Sequence, residues 1–187
     1  MRTMMQTLTN GTALRRLLAV TALGVLAAGA RLAAEECPEF RPTPEHRILA
    51  ASAGDFDLAF NDGSKGTTSC KLDLGGQWLL EHVKADFCGH GYEGRGATSY
   101  DPARKRYIGV WIDSVSPVPL VSEGTYDEAT RTLTLVGDMA TPDGRTAKAT
   151  LVTVYKDGGT RTFAMKVPGP GGKDVELFRI TYTRRAS

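Results

Sequence analysis

Four charged residues fall within apolar, alternating stretches of this sequence. They are Glu81, Arg95, Asp113 and Glu123. Carboxylates held side by side can serve as a general acid and a general base. An arginine beside them offers a rigid fork of donors that suits a ligand carboxylate. Without a ligand or water, these charges must pair with one another, because an unpaired buried charge is costly.

Aromatic side chains share the same alternation. Tyr107, Trp111 and Asp113 are separated by even numbers of residues, which places them on one face of a strand. An apolar wall with a few polar groups is the usual layout of a small-molecule pocket. The sequence therefore predicts one ligand-binding set, made of Glu81, Arg95, Tyr107, Trp111, Asp113 and Glu123.

The histidines give little support for a metal or a cofactor. His82, Asp86, Cys88 and His90 include residue types that bind zinc. Alternation turns His82 and Asp86 outward, so we interpret this cluster as solvated side chains. Haem needs an axial ligand inside the fold, and the outward position of His82 disfavours it. We expect no cofactor and no metal.

Two further motifs are weak indicators of catalysis. Residues 89–94, GHGYEG, match G-x-G-x-x-G, but here the motif joins two strands, whereas a dinucleotide site needs a strand followed by a helix. The strand pairing places no histidine beside a serine or cysteine, as nucleophilic catalysis would require. The enzymatic alternative is an acid/base pair of Asp113 with Glu123 or Glu81.

Strands and turns must position these residues. Hairpin signals at residues 61–63, 75–76, 127–131, 142–144, 157–159 and 169–172 separate runs of about 6 to 11 residues. About ten strands without crossover helices predict an up-and-down antiparallel β-barrel, because closure removes the edges of a meander. One short helix precedes the strands. Its start is indicated by Thr43-Pro44-Glu45, and we expect it to end near residues 51–54.

The turn positions predict which side chains face inward. If Tyr126 pairs with Thr132, Glu123 lies opposite Leu135 on the apolar face. The turn at residues 101–105 brings Arg95 to the same face. Within the first long hairpin, Glu81 shares the alternation of apolar neighbours and is also predicted to lie inside.

Three segments carry a resemblance to a known family. They are YDPARKRYIGVWIDS at residues 100–114, EGTYD at 123–127 and PDG at 142–144. They resemble the bacterial DUF1579 family, a domain of unknown function, and the resemblance runs from about Pro42 to Arg184. That family is similar to the calycins, which include the lipocalins and fatty-acid-binding proteins. The resemblance implies a small up-and-down β-barrel and no particular reaction.

The N-terminal segment has the features of a secretory signal peptide. Arginines precede an apolar run at residues 17–30, which ends in an A-x-A cleavage signal. The run is shorter than the ~20 residues of a spanning helix. We expect a signal peptide over residues 1–34, a lipocalin-like barrel over residues 35–187, no stable membrane span, and a periplasmic or secreted protein. An uncleaved anchor is the alternative.

Charge and cysteine content narrow the partners. Four of the 23 Lys and Arg residues lie in the expected signal peptide, which leaves 19 against 21 acidic residues. A nucleic-acid partner therefore has no electrostatic support.

Of Cys37, Cys70 and Cys88, an exported chain can pair two. Cys70 lies within a strand, so a Cys37–Cys88 bridge and three free thiols both stay open.

These features favour an exported barrel that binds a small, partly apolar molecule in its lumen, such as a lipid-like or aromatic acid. Three alternatives stay open. One is an enzyme of the lyase, isomerase or hydrolase kind that uses buried carboxylates. The second is a haem-binding barrel like the nitrobindins, to which the family is distantly similar. The third is a structural or interaction module with a closed core. The oligomeric state is also open.

Overall fold

A computed structural model describes residues 41–87, 89–156 and 159–186, with Phe87 described by its backbone alone. The expected signal peptide, Cys37 and Cys88 lie outside the described residues. Within the described part, no helix has the length and apolar character needed to span a membrane.

Ten strands follow one another along the chain. They are β1 (Gly54–Phe60), β2 (Lys65–Asp73), β3 (Trp78–Phe87), β4 (His90–Asp101), β5 (Arg106–Asp113), β6 (Ser116–Asp127), β7 (Thr132–Ala140), β8 (Thr146–Tyr155), β9 (Thr160–Pro168) and β10 (Asp174–Arg184). Each strand pairs antiparallel with the next, and β1 also pairs with β10. The sheet therefore closes into a barrel. The predicted all-β up-and-down barrel is confirmed.

Alternation along each strand determines which side chains enter the core. In β1, Phe56, Leu58 and Phe60 are buried, and the residues between them are exposed or nearly so. In β7, Leu133 and Leu135 are buried on the same principle. This period of two is expected of strands that have one buried face.

The predicted helix closes one end of the barrel. A 3-10 turn (Pro44–His46) leads into the α-helix α1 (Arg47–Ala51). Leu49 of α1 is only 1% exposed and belongs to the hydrophobic core. The Tyr107 hydroxyl donates to the Glu45 carbonyl at 2.9 Å, which ties β5 to this segment. We call this the helix-capped end.

Two hairpins pair one residue away from the predicted register. Asp101 pairs with Arg106, and Asp127 pairs with Thr132. Each aspartate accepts hydrogen bonds from backbone N–H groups two and three residues ahead. Each loop ends in a residue with positive φ, Lys105 or Arg131. The loops therefore contain four residues, whereas the sequence analysis assumed five, and a slip of one residue exchanges the faces of a strand.

Candidate ligand site in the barrel interior

The register change moves two of the six predicted site residues to the outer surface. Arg95 is 60% exposed and forms an ion pair with Glu93. Glu123 forms ion pairs with Arg104 and Arg106 on the surface. The prediction that Arg95 and Glu123 lie inside the barrel is wrong, because both loops are one residue shorter than assumed.

The other four predicted residues share the inner face. Glu81 lies between the buried residues Leu79 and Val83 of β3. Tyr107, Trp111 and Asp113 follow one another along the inner face of β5. Tyr107 is 3% exposed, and its hydroxyl donates to the Glu45 carbonyl. Its role is therefore to connect β5 to the helix-capped end.

The Trp111 ring lies flat against the barrel wall. A β-carbon on Gly94 would lie 2.3 Å from Cζ2 of Trp111, and one on Gly96 would lie 2.8 Å from Cε3. Only glycine leaves room for the ring at these two positions. Because the ring follows the wall, it covers β4 and does not cross the interior.

A hydrogen-bonded group surrounds the indole nitrogen. Nε1 of Trp111 donates to the Tyr92 hydroxyl at 3.0 Å and to Oδ2 of Asp113 at 3.1 Å. The Tyr92 hydroxyl donates to the same oxygen at 3.3 Å. Burial and the nearby Asp113 charge raise the pKa of Tyr92 far above its usual value, so Tyr92 stays a hydrogen-bond donor.

Asp113 is fully occupied by donors. Its Oδ1 accepts the backbone N–H groups of Val115 and Ser116 at 3.0 and 2.9 Å. Its Oδ2 accepts from Trp111 and Tyr92. A carboxylate with four donors has no free lone pair for proton transfer. Asp113 therefore orients Trp111 and the start of the β5–β6 turn.

The structure also places inside the barrel an arginine that the sequence analysis did not select. Arg161 of β9 has a side chain only 8% exposed. Its guanidinium lies over the Phe56 ring at 4.5 Å and the Tyr182 ring at 4.4 Å. Nη1 donates to the Ser52 carbonyl at 3.0 Å. Stacking between two rings and bonding to the chain after α1 hold Arg161 in one position.

Two side chains lie beside the inner nitrogen of Arg161. Its Nη2 lies 3.2 Å from Sγ of Cys70 and 3.6 Å from Oε1 of Glu81. Burial and the Glu81 charge raise the pKa of Cys70 to about 11, although Arg161 opposes this. Cys70 is therefore a neutral thiol at physiological pH.

Glu81 is an inward-facing carboxylate that is partly open to solvent. Its side chain is 19% exposed, although its strand neighbours on the inner face are buried. Oε1 accepts from the Thr68 hydroxyl at 3.2 Å and faces Arg161. Among the described residues, no hydrogen bond reaches Oε2.

The apolar wall of the interior is also incompletely covered. Leu151, Phe163 and Met165 face inward on β8 and β9, and each is only partly buried. On β10 and β1, which follow β9 around the barrel, Ile180 and Leu58 are 6% and 2% exposed, and Ile180 pairs directly with Phe163. The interior thus contains closely packed residues next to apolar side chains that are only partly buried.

A family model described as "Protein of unknown function (DUF1579)" matches residues 41–184. The chain belongs to this family. The match covers all ten strands and confirms the resemblance that residues 100–114 indicate. No curated protein gives a significant match to the chain.

Within this DUF1579 domain, one sequence signal could have identified Arg161. It lies two and four residues before the apolar Phe163 and Met165, so strand alternation places it on their face. An arginine on the same strand face as apolar and aromatic residues is unusual, because arginine is seldom buried. Tyr92 could not be identified in this way, because the predicted register of β4 was shifted by one residue.

His82 occupies the outer surface of the DUF1579 barrel, as predicted. Its Nε2 lies 2.6 Å from Oε1 of Glu93. The imidazole is therefore part of a surface pair and is not available to the lumen. The Cys88 position that the sequence analysis considered beside it lies outside the described residues.

Proposed function

We propose that this DUF1579 domain binds a small, partly apolar molecule in its barrel lumen through a hydrogen-bond donor on the ligand. A ten-stranded barrel is wider than the eight-stranded barrels whose interior holds one small ligand. The partly exposed Leu151, Phe163 and Met165 supply the apolar surface.

One observation carries the proposal, namely the state of Glu81. The carboxylate lies on the inner face of the barrel, yet its side chain is 19% exposed. Its Oε2 receives no hydrogen bond from the described residues. Thr68 and Arg161 contact Oε1, so Oε2 is open to water or to a hydrogen-bond donor on a ligand.

The charges of the interior favour a ligand with a donor over a ligand acid. Arg95, whose guanidinium was expected to bind a ligand carboxylate, lies on the outer surface. Arg161 is occupied by Ser52, Cys70 and Glu81 and is covered by two rings. A neutral alcohol or a primary ammonium group therefore suits Oε2 of Glu81, and a ligand carboxylate would be repelled.

Fluorescence of Trp111 tests the proposal. Trp111 and Trp78 are the two tryptophans, so changing Trp78 to Phe leaves one emitter on the lumen wall. We would titrate decan-1-ol, decylamine and decanoate, which share one chain and differ in the head group. We expect the amine and the alcohol to change Trp111 emission at lower concentration than the acid.

Glu81→Gln provides the matched comparison, since it keeps the volume and removes the charge. The preference for decylamine over decanoate should fall by about tenfold or more, the scale of a charge-assisted hydrogen bond. If none of the three compounds changes the emission while the variant still folds, the lumen is a closed core and the binding proposal fails.

We also propose that the protein is exported. The support is the arginine-flanked apolar run of residues 17–30 and the A-x-A motif that ends it. An exported barrel would meet its ligand in the periplasm or outside the cell. Sequencing the N-terminus of protein from those fractions tests this part separately.

A further inference from the structure

An apolar patch lies on the outer surface of the barrel, across strands β4 to β7. Its four exposed members are valine and isoleucine side chains that are 40% to 59% exposed. Two half-buried apolar residues lie beside them. The six residues, which we call the outer patch, are Ala97, Ile108, Val110, Ile112, Val121 and Val136.

The strand register makes the outer patch continuous. Val110 pairs with Ala97 on β4 and with Val121 on β6, so three apolar side chains form one row across three strands. Paired side chains on one face of a sheet lie within contact distance. Ile112 follows Val110 along β5, and Val136 of β7 lies diagonally from Val121. Single exposed apolar residues are common, whereas a continuous group of them indicates an interaction surface.

The far side of the barrel does not share this character. Asp57 of β1 pairs there with Thr183 of β10, and both side chains are exposed and polar. This is the usual outer face of strands that bury only one side. The helix α1 does not cover the outer patch, because it closes the end of the barrel and inserts Leu49 into the core.

The charged residues around the outer patch favour a second copy of this chain as its partner. On β6, Glu123 pairs with Arg104 and Arg106. On β4, Arg95 pairs with Glu93. Each of these cations has an acidic neighbour, whereas a nucleic acid or an anionic membrane would be favoured by cations alone. Two copies of a surface that carries both signs can approach each other without net repulsion.

The positions of the charges also fit twofold symmetry. Arg95 of β4 lies opposite Ile112, and Glu123 of β6 lies opposite Ile108. The two charged residues therefore lie on opposite sides of Val110, displaced toward opposite ends of the barrel. A twofold axis in the plane of the contact at Val110 brings Arg95 to the partner's Glu123. The ion pairs within each chain can persist, because each carboxylate oxygen accepts more than one donor.

We propose that the outer patch is the contact surface of a homodimer in which two barrels pack face to face. Sheets that pack in this way interdigitate their side chains, and the stiff, branched side chains of Val110, Val121 and Ile112 suit such packing. The valines form the apolar centre of the contact, and the ion pairs form its polar rim. The lumen lies on the other face of the same strands, so this proposal does not depend on the lumen ligand.

Sedimentation velocity of the purified protein tests the proposal. A concentration series from about 1 to about 500 µM should show a species with twice the mass of one chain, and its fraction should rise with concentration. A reductant in the buffer excludes dimers that are linked by a disulfide.

Matched variants of the outer patch locate the contact. Val121→Lys should weaken self-association by at least about a hundredfold, because twofold symmetry buries two ammonium groups in an apolar centre. Val121→Thr keeps the shape of the side chain and should weaken association by about tenfold, so it serves if the lysine variant does not fold. The control is Val175→Lys, at an exposed valine of β10 on the far side of the barrel, and it should dimerise like the unchanged protein.

A charge exchange tests the twofold arrangement. Arg95→Glu alone should weaken association by about tenfold, and adding Glu123→Arg should restore it, since the two signs are then exchanged. Arg179→Glu on β10 is the control and should have no effect. Melting curves verify that the variants fold. The proposal is overturned if the protein stays monomeric at the highest concentration, if Val175→Lys weakens association as much as Val121→Lys, or if the double charge variant associates no better than Arg95→Glu.

Discussion

Replacing Arg161 by methionine should destabilise the barrel strongly. Methionine keeps much of the side-chain volume between Phe56 and Tyr182 but removes the charge and the donors. The Ser52 carbonyl then loses its 3.0 Å bond, and Glu81 loses the cation at 3.6 Å. Removing one partner of a buried pair costs about 3–5 kcal/mol. The 19% exposure of Glu81 places the expected loss near the lower value, about 3 kcal/mol.

Urea unfolding of three variants measures this loss. Arg161→Met is compared with Glu81→Gln and with the double variant, in which no uncompensated carboxylate is left. The double variant should be more stable than Arg161→Met alone, with a coupling free energy of about 1–3 kcal/mol. Arg179→Met is the surface control, because Arg179 is 54% exposed and pairs with Glu176 on β10. Its cost should be far smaller, since exposed ion pairs contribute little.

Two results would refute the reasoning on Arg161. One is a loss of stability no larger than that of Arg179→Met, which would mean that water replaces the guanidinium without penalty. The other is additivity in the double variant, which would mean that Glu81 and Arg161 do not interact energetically.

Three other predictions follow from the same contacts. Gly94→Ala should lower the free energy of unfolding by about 1–3 kcal/mol and shift Trp111 emission to the red, because the new methyl group displaces the ring. The control is Gly91→Ala on the same strand, where the β-carbon has free space, and it should have little effect on unfolding or emission. With Cys37 and Cys88 changed to Ser, the Cys70 thiol should react with a disulfide reagent at pH 8 at least a hundredfold more slowly in folded than in unfolded protein. The reason is that burial raises the pKa of Cys70 to about 11 and leaves little thiolate. Equal rates would contradict the burial of Cys70. N-terminal sequencing of periplasmic or secreted protein should show a start between Arg31 and Glu35, and an intact Met1 there would contradict cleavage.

The sequence predicted the architecture well because strand period and turn residues are local signals. The helix at Pro44 and the boundaries of the ten strands depend on residues that are neighbours in the chain. Glu81 was placed correctly because it alternates with Leu79 and Val83 within β3, and these three residues therefore share one face of the strand. The side on which Glu81 lies does not depend on the length of any loop.

Residues whose placement depends on a loop length were placed on the wrong face. Arg95 and Glu123 lie across the loops that end in Lys105 and Arg131, both with φ of 53°. Non-glycine residues seldom adopt this conformation, so the residue types Lys and Arg do not indicate a positive φ at these positions. In each loop, however, the opening aspartate caps the two N–H groups ahead of it, and this motif favours the four-residue loop.

The two hairpins carry the same motif, and this has a consequence for the interior. Because both loops are one residue shorter than predicted, Arg95 and Glu123 both lie on the outer surface, and each forms an ion pair there. Among the described residues, the inner face then keeps the carboxylates Glu81 and Asp113 and the arginine Arg161. Asp113 is satisfied by four donors. Oε2 of Glu81, in contrast, accepts no hydrogen bond from the described residues, and this difference between the two carboxylates supports the proposed ligand contact at Glu81.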